Sequence, residues 1–396
     1  MKKKRIWKVI LLCVLGTLSL AVLLQIGWCG KYTGSDGKYL PITASDSWAH
    51  IYNHPVWEET GKEMFSIWGD SSATNLTSFM SIRALSLWCG WNADEIVDGF
   101  NGLLEAANKG DFSIHAVYSA EESGADPALR HARLALYRGQ PGKPLAIVAA
   151  GGGYQQVVSM IEGFPYAAEL YRQGYSVAVL RYRVGNELGV SDDFAMRLEA
   201  SKDLTRAIAY LVQQQEALGI SMDGYTMFGS SAGGGLITLV CFDEYARLNE
   251  ENAVIPRPAT INLIYTDRFL LYNEDGSADL QFDDADKGLH VFAIVGEGDA
   301  YGGDWVLDRK IPEMKSVLGD DHVVYHKYPD YPHGSGLGIG TSAEGWMKQA
   351  ITFWDEQNKE ALYAKSICPH DEPCVPLYAA GQAGAAPRLR GGAKTQ

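Results

Sequence analysis

The sequence has 396 residues, a formal net charge of −14 and 46% apolar residues. That length holds one large α/β domain with additions, or two domains, and the apolar content suffices for a sizeable core. The acidic balance repels nucleic-acid phosphates, which sets nucleic-acid binding aside, and six scattered cysteines with no C-x-x-C pair or Cys/His cluster offer no zinc site.

Lys2, Lys3, Lys4, Arg5 and Lys8 precede an apolar run from Val9 to Trp28. The run has about the length that crosses a bilayer. Ser19-Leu-Ala21 has the small residues a signal peptidase needs, but Val22 to Ile26 beyond it stay largely apolar, an awkward place to cut. Cys29 follows Trp28, so the small residue required before a lipoprotein cysteine is missing. Residues 1–30 therefore read as an uncleaved signal-anchor that tethers an extracytoplasmic body to the cell membrane. A cleaved signal peptide and a secreted body is the alternative.

Residues 31–110 form the next block. Lys31 to Asp46 is rich in Gly, Ser and Thr and suits a linker, and from Trp48 to Lys109 the pattern turns helical. Met80, Ala84, Leu85 and Trp88 fall at helical spacing. Asn92-Ala-Asp-Glu95 reads as a capped start for a helix over Ile96 to Ala107. Half of the ten tryptophans lie here: Trp48, Trp57, Trp68, Trp88 and Trp91. An accessory helical layer that packs its aromatics on the main domain is the simpler reading; an aromatic lid or sugar-stacking platform is the other. Asn75-Leu-Thr77 matches the glycosylation sequon, which matters only in a host with that pathway.

Across residues 111–360 strands and helices alternate. Strands are expected at Phe112 to Ser119, Ala132 to Tyr137, Leu145 to Ala150, Tyr175 to Tyr182, Tyr225 to Phe228, Thr260 to Tyr265, His290 to Val295 and Val323 to Tyr328. Helices are expected at Val158 to Gln173, Asp193 to Leu218, Leu236 to Val240, Trp305 to Leu318 and Glu344 to Glu360. This alternation predicts an α/β fold, a mostly parallel sheet with helices on both faces. The first two strands lack an intervening helix and should pair antiparallel at one edge. Residues 361–396 are rich in Ala, Gly and Pro and read as a disordered tail. Within it Cys368 and Cys374 are close enough to be bridged in an oxidising compartment, and two free thiols fit equally well.

Four motifs stand at strand ends. Gly229-Ser-Ser-Ala-Gly233, between a buried strand and an apolar helix, is the G-x-S-x-G pattern of a nucleophile elbow centred on Ser231. A strand that turns at once into a helix strains its central residue and leaves no room for side chains at Gly229 and Gly233. Ala150-Gly-Gly-Gly-Tyr154 offers the backbone N–H groups of Gly152 and Gly153, which with that of Ala232 suit a developing oxyanion. Gly296-Glu-Gly-Asp299 supplies a carboxylate in a tight turn, and Tyr331-Pro-His-Gly-Ser-Gly-Leu-Gly338 presents His333 in a glycine-rich loop. Asp304 reads as a helix N-cap and Asp330 as a turn residue, so Asp299 is the better partner for the imidazole. The chain order Ser231, Asp299, His333 is that of an α/β-hydrolase triad, and no metal or organic cofactor is implied.

From about Phe112 to Glu360 the chain resembles the α/β-hydrolase superfamily, in its acetyl esterase/lipase-like branch with a Gly-Gly-Gly-Tyr oxyanion loop. Phe164-Pro-Tyr-Ala167, Leu180-Arg-Tyr-Arg-Val-Gly185, His326-Lys-Tyr-Pro329 and Gly340-Thr-Ser-Ala-Glu-Gly-Trp346 are similar to segments of that branch. The resemblance implies a serine esterase for short-acyl esters, acylated carbohydrates among them, with Ser231, Asp299 and His333 as nucleophile, acid and base. It implies Gly152, Gly153 and Ala232 as oxyanion donors. One departure stands out: Ala150 occupies the place before the glycines where the branch usually has His or Pro, so a side chain that braces the loop is expected to be absent. A serine peptidase of the same fold and a membrane-tethered binding protein without turnover are the rival readings.

Overall fold

The computed structural model describes residues 30–58, 64, 79–190, 193–242, 255–266 and 282–367. The Val9–Trp28 run, Trp68, the Asn75 sequon, Cys368, Cys374 and the tail beyond Ile367 lie outside the described residues. Among the described residues no helix is long and apolar enough to cross a membrane.

Eight strands build one sheet: β1 (Phe112–Ala116), β2 (Arg133–Tyr137), β3 (Pro144–Ala149), β4 (Ser176–Arg181), β5 (Ser221–Ser230), β6 (Thr260–Ile264), β7 (Val291–Gly296) and β8 (Val323–Tyr328). Their spatial order is β1-β2-β4-β3-β5-β6-β7-β8. β2 runs antiparallel to both β1 and β4, and the remaining pairs are parallel. β4, β6 and β7 are buried along their whole length, as covered parallel strands must be, whereas the edge strand β1 has no buried residue. From β3 the chain moves one way along the sheet to β4, then back past β3 to β5. Crossovers of the usual right hand put the β3–β4 and β4–β5 connections on opposite faces, and the reversal opens a crevice at the carboxyl ends of β3 and β5.

The Asp193–Leu218 helix has the bounds expected from its apolar stripe. The helix expected over Val158 to Gln173 is instead two, Ser159–Glu162 and Phe164–Arg172, joined at Gly163. Pro165 explains the break, since a residue without N–H is at ease only in the first turn of a helix. The final helix, Trp346–Ile367, runs past the expected boundary at residue 360.

The N-terminal extension lies on this core. Asn92 caps the Ala93–Lys109 helix by accepting the N–H groups of Asp94 and Glu95, and Ile96, Phe100, Leu103 and Leu104 are buried. Gly102 lets this helix approach Phe164–Arg172 closely: a Cβ there would come within 2.4 Å of Ala168 Cβ. Trp57 is fully buried between the rings of Phe100 and Phe164, each 5.6 Å away by centroid. The Met80–Trp88 stripe is only partly an inner face. The helix starts at Ile82, buries Leu85 and turns Trp88, 70% exposed, to solvent. The stretch expected as a linker is tied down at two points, where Asn101 and Asn108 each exchange two hydrogen bonds with the backbone of Ile42 and Tyr39.

Candidate active site

Ser231 sits between β5 and the Ala232–Cys241 helix with φ 50° and ψ −119°, a conformation that costs a non-glycine residue energy. The turn is enforced by crowding. A Cβ on Gly233 would lie 1.9 Å from the Ala149 carbonyl oxygen, and one on Gly229 would lie 2.6 Å from that of Gly233. Ser231 N–H donates to the Ile264 carbonyl at 2.9 Å, which fixes the turn to the neighbouring strand. Ser230, the residue before, points inward and pairs with the Tyr166 hydroxyl at 3.0 Å.

His333 approaches from the loop after β8, its Nε2 2.8 Å from Ser231 Oγ. Its Nδ1 lies 2.8 Å from Asp299 Oδ2. The other carboxylate oxygen, Oδ1, accepts the N–H groups of Tyr301 at 2.9 Å and Gly303 at 3.1 Å. Burial pushes the Asp299 carboxyl up, but the His333 bond and charge and these two N–H donors outweigh it and hold it below its ordinary value. An ionised Asp299 can only accept, so the proton sits on Nδ1 and Nε2 is left to accept from the Ser231 hydroxyl. The three residues that the sequence singles out are thus brought together in line.

Asp304 and Asp330 are elsewhere. Asp304 is not the N-cap, a place held by Gly302. It lies in the first turn, where its Oδ2 accepts the Gly298 N–H at 2.9 Å and pairs with Lys327 at 3.4 Å. Asp330 accepts the Ser342 N–H at 2.7 Å.

The glycine loop after β3 reaches the same point. Gly152 and Gly153 take φ 129° and 62°, and among the described residues neither N–H donates a hydrogen bond within the chain. Ala232 opens its helix, where N–H groups have no intrahelical partner. The brace expected to be missing beside Ala150 is supplied from a distance. The Ala150 carbonyl accepts the Tyr182 hydroxyl at 2.9 Å, and the Gly151 N–H of the same peptide unit donates to Glu162 Oε2 at 2.6 Å. Tyr182 belongs to the Leu180–Gly185 segment, whose Arg183 makes a buried ion pair with Asp203.

Several residues around the site carry no signal in the sequence. Tyr265, just past β6 with φ 34°, lies against His333 with ring centroids 4.7 Å apart and donates its hydroxyl to Glu162 Oε1 at 2.9 Å. Tyr301 covers His333 from the solvent side, with centroids 4.6 Å apart. Glu95, from the extension, accepts the Leu337 N–H at 2.6 Å. Burial pushes its carboxyl up to about 8, against that bond and with help from nearby Glu162 and Asp98. Burial also raises the Glu162 carboxyl, opposed by the Gly151 N–H, by His333 and by Tyr265.

Residues 136–263 match the family model BD-FAE, which is of α/β-hydrolase type. No curated protein matches the chain. Among solved structures the chain is similar to MGS-M1, an α/β hydrolase from a Medee basin deep-sea metagenome library, at 20% identity and TM-score 0.48, covering 63% of this chain and 98% of that one. It is similar to the carboxylesterase Cest-2923 from Lactobacillus plantarum at 17% identity and TM-score 0.46, covering 57% and 92%. An acetyl ester-xyloside bifunctional hydrolase from Caldicellulosiruptor lactoaceticus aligns at 20% identity and TM-score 0.46, covering 62% and 96%. The strand order is that of an α/β-hydrolase fold, and residues 136–263 match the BD-FAE family model.

Proposed function

We propose that the chain is a serine carboxylic-ester hydrolase acting on short-acyl esters, acylated carbohydrates among them, and tethered to the membrane by residues 1–30. The observation that carries the hydrolase reading is the unbroken line from Ser231 Oγ through His333 to Asp299, two contacts of 2.8 Å each. A chain without turnover has no physical need to hold Ser231 at a positive φ. The short-acyl preference rests on the motif resemblance, and the tether on the basic and apolar pattern of residues 2–28.

Ser231 Oγ attacks the ester carbonyl carbon as His333 Nε2 takes its proton, and Asp299 steadies the imidazolium. The carbonyl oxygen, now an oxyanion, is received by the N–H groups of Gly152, Gly153 and Ala232. The intermediate collapses, His333 returns the proton to the leaving alcohol, and an acyl-enzyme remains on Ser231. Water, deprotonated by His333, attacks that acyl group and releases the acid and free Ser231.

The test is a fluorophosphonate label on Ser231 together with a hydrolysis panel of p-nitrophenyl esters from acetate to octanoate, beside acetylated xylan-type oligosaccharides. Labelling with turnover highest at the short end is the expected result. No labelling and no turnover would leave a binding protein with a hydrolase fold.

A further inference from the structure

Glu162 is enclosed beneath the two loops that frame Ser231, at 2% exposure. One of its oxygens accepts the Gly151 N–H at 2.6 Å and the other the Tyr265 hydroxyl at 2.9 Å. The Tyr265 oxygen in turn accepts the Gly336 N–H at 3.1 Å. Gly151 precedes the two glycines that offer oxyanion donors, and Gly336 lies in the loop that carries His333. A continuous chain of hydrogen bonds therefore runs from one loop to the other through a single carboxyl group.

We infer that Glu162 is a positioning residue, whose carboxyl group joins the glycine loop to the histidine loop and holds the oxyanion donors in register with His333. The inference rests on the hydrolase reading and deepens it. Its physical need is clear from the loop itself. Gly152 and Gly153 have positive φ and, as glycines, many alternative conformations of similar energy. The peptide unit that enters them is gripped at its carbonyl by Tyr182 and at its N–H by Glu162. Releasing the N–H end lets the donors wander, and a displacement of about 1 Å is enough to cost ~10²-fold in rate. A residue that merely satisfied two buried donors would act on stability and leave the chemical step alone.

The test compares the full chain with Glu162→Met, Glu162→Gln and Tyr265→Phe, using p-nitrophenyl acetate and recording kcat, KM and Tm. Methionine keeps the volume and removes both acceptors. Glutamine restores the bridge, with its oxygen toward the Gly151 N–H and its amide nitrogen toward the Tyr265 oxygen. Phenylalanine at 265 keeps the ring on His333 and deletes the link. Glu162→Met is expected to lose roughly 10²-fold in kcat with KM within about threefold, and Glu162→Gln to recover to within about fivefold of the wild type. Tyr265→Phe is expected to lose roughly tenfold in kcat. Glu162→Met with wild-type kcat, or Glu162→Gln as inactive as Glu162→Met, overturns the inference. Should the methionine variant not fold, wild-type kcat in Tyr265→Phe overturns it instead. A wild-type chain with neither ester turnover nor fluorophosphonate labelling sinks the hydrolase reading and this inference together. An active, labelled wild type beside an unimpaired Glu162→Met sinks the role of Glu162 alone.

Discussion

Ser231 and His333 meet within hydrogen-bond reach, yet the chain fixes them by opposite means. The elbow is held by close backbone packing: a Cβ on Gly229 would meet the Gly233 carbonyl of the following helix, and one on Gly233 the Ala149 carbonyl at the end of β3. In the histidine loop a Cβ on Gly334, beside His333, would meet nothing within 4 Å, and crowding starts only at Gly336. The loop is held by side-chain hydrogen bonds, from far away by Tyr265 on the Gly336 N–H and Glu95 on the Leu337 N–H, and from nearby by Tyr331 and Trp346, both donating to the Gly336 carbonyl. One half of the site is set by backbone crowding, the other by side-chain hydrogen bonds. The first should break on adding atoms and the second on removing them.

The largest effect belongs to the nucleophile itself. Ser231→Ala is expected to leave a folded chain with no ester turnover, measured beside circular dichroism. Ser230→Ala loses only the buried bond to Tyr166 and should keep most of the activity. Comparable losses from both would mean that the elbow presents a different serine.

Next comes the carboxylate. Asp299→Asn should lower kcat by ~10⁴-fold, because an amide favours the wrong imidazole tautomer. Asp304→Asn should cost little, since an amide oxygen still accepts the Gly298 N–H. Collapse in the second and survival in the first would move the acid role to Asp304.

The comparison between sterics and hydrogen bonding is sharpened by two conservative changes. Gly233→Ala drives a methyl into the Ala149 carbonyl oxygen and should destabilise the fold by about 3 kcal/mol or prevent it, as overpacking does. Tyr331→Phe removes one of two donors from the Gly336 carbonyl and should cost about 1 kcal/mol, with Trp346 still in place. Chemical denaturation of both variants measures the contrast. Equal costs would erase the distinction drawn here.

A last effect is a dependence on pH. Glu95 titrates at about 8 in the folded chain against an ordinary 4.5, so the folded state holds its proton more tightly. Stability from this group is complete below about pH 4.5 and is lost as pH rises toward 8. Glu95→Gln cannot titrate. The difference in Tm, wild type minus variant, should therefore fall between pH 5 and pH 8.5, and a difference that grows over that range would contradict the sign.

The same contrast explains what was legible in the sequence. Elbow, glycine loop, Asp299 turn and His333 loop are each written in a few adjacent residues, because the constraint that shapes each acts on its own backbone. Strands buried on both faces, such as β7, announce themselves as unbroken apolar runs. Glu162 and Tyr265 announce nothing. Each lies within or beside an apolar stretch like many other polar residues, and its meaning comes from a partner 11 or 103 residues distant. Ala150 misled for the same reason: a missing neighbour was visible, whereas the substitute brace from Tyr182 and Glu162 was not. Trp88 shares a helical stripe with Leu85 yet stands 70% exposed, because spacing alone does not say which edge of a stripe meets the core.

The bond between Glu95 and Leu337 closes a loop of 242 residues. Contacts of such separation are the last that a growing or refolding chain makes, since the entropy of closing the loop comes before any reward. The elbow and its neighbours β3 and β6 can come together while the C-terminal third is still being synthesised. The imidazole cannot be held until that third has arrived and docked on the extension. Competence is then a late event in the life of the chain, and a molecule cut short before residue 333 would carry its nucleophile without a base to serve it.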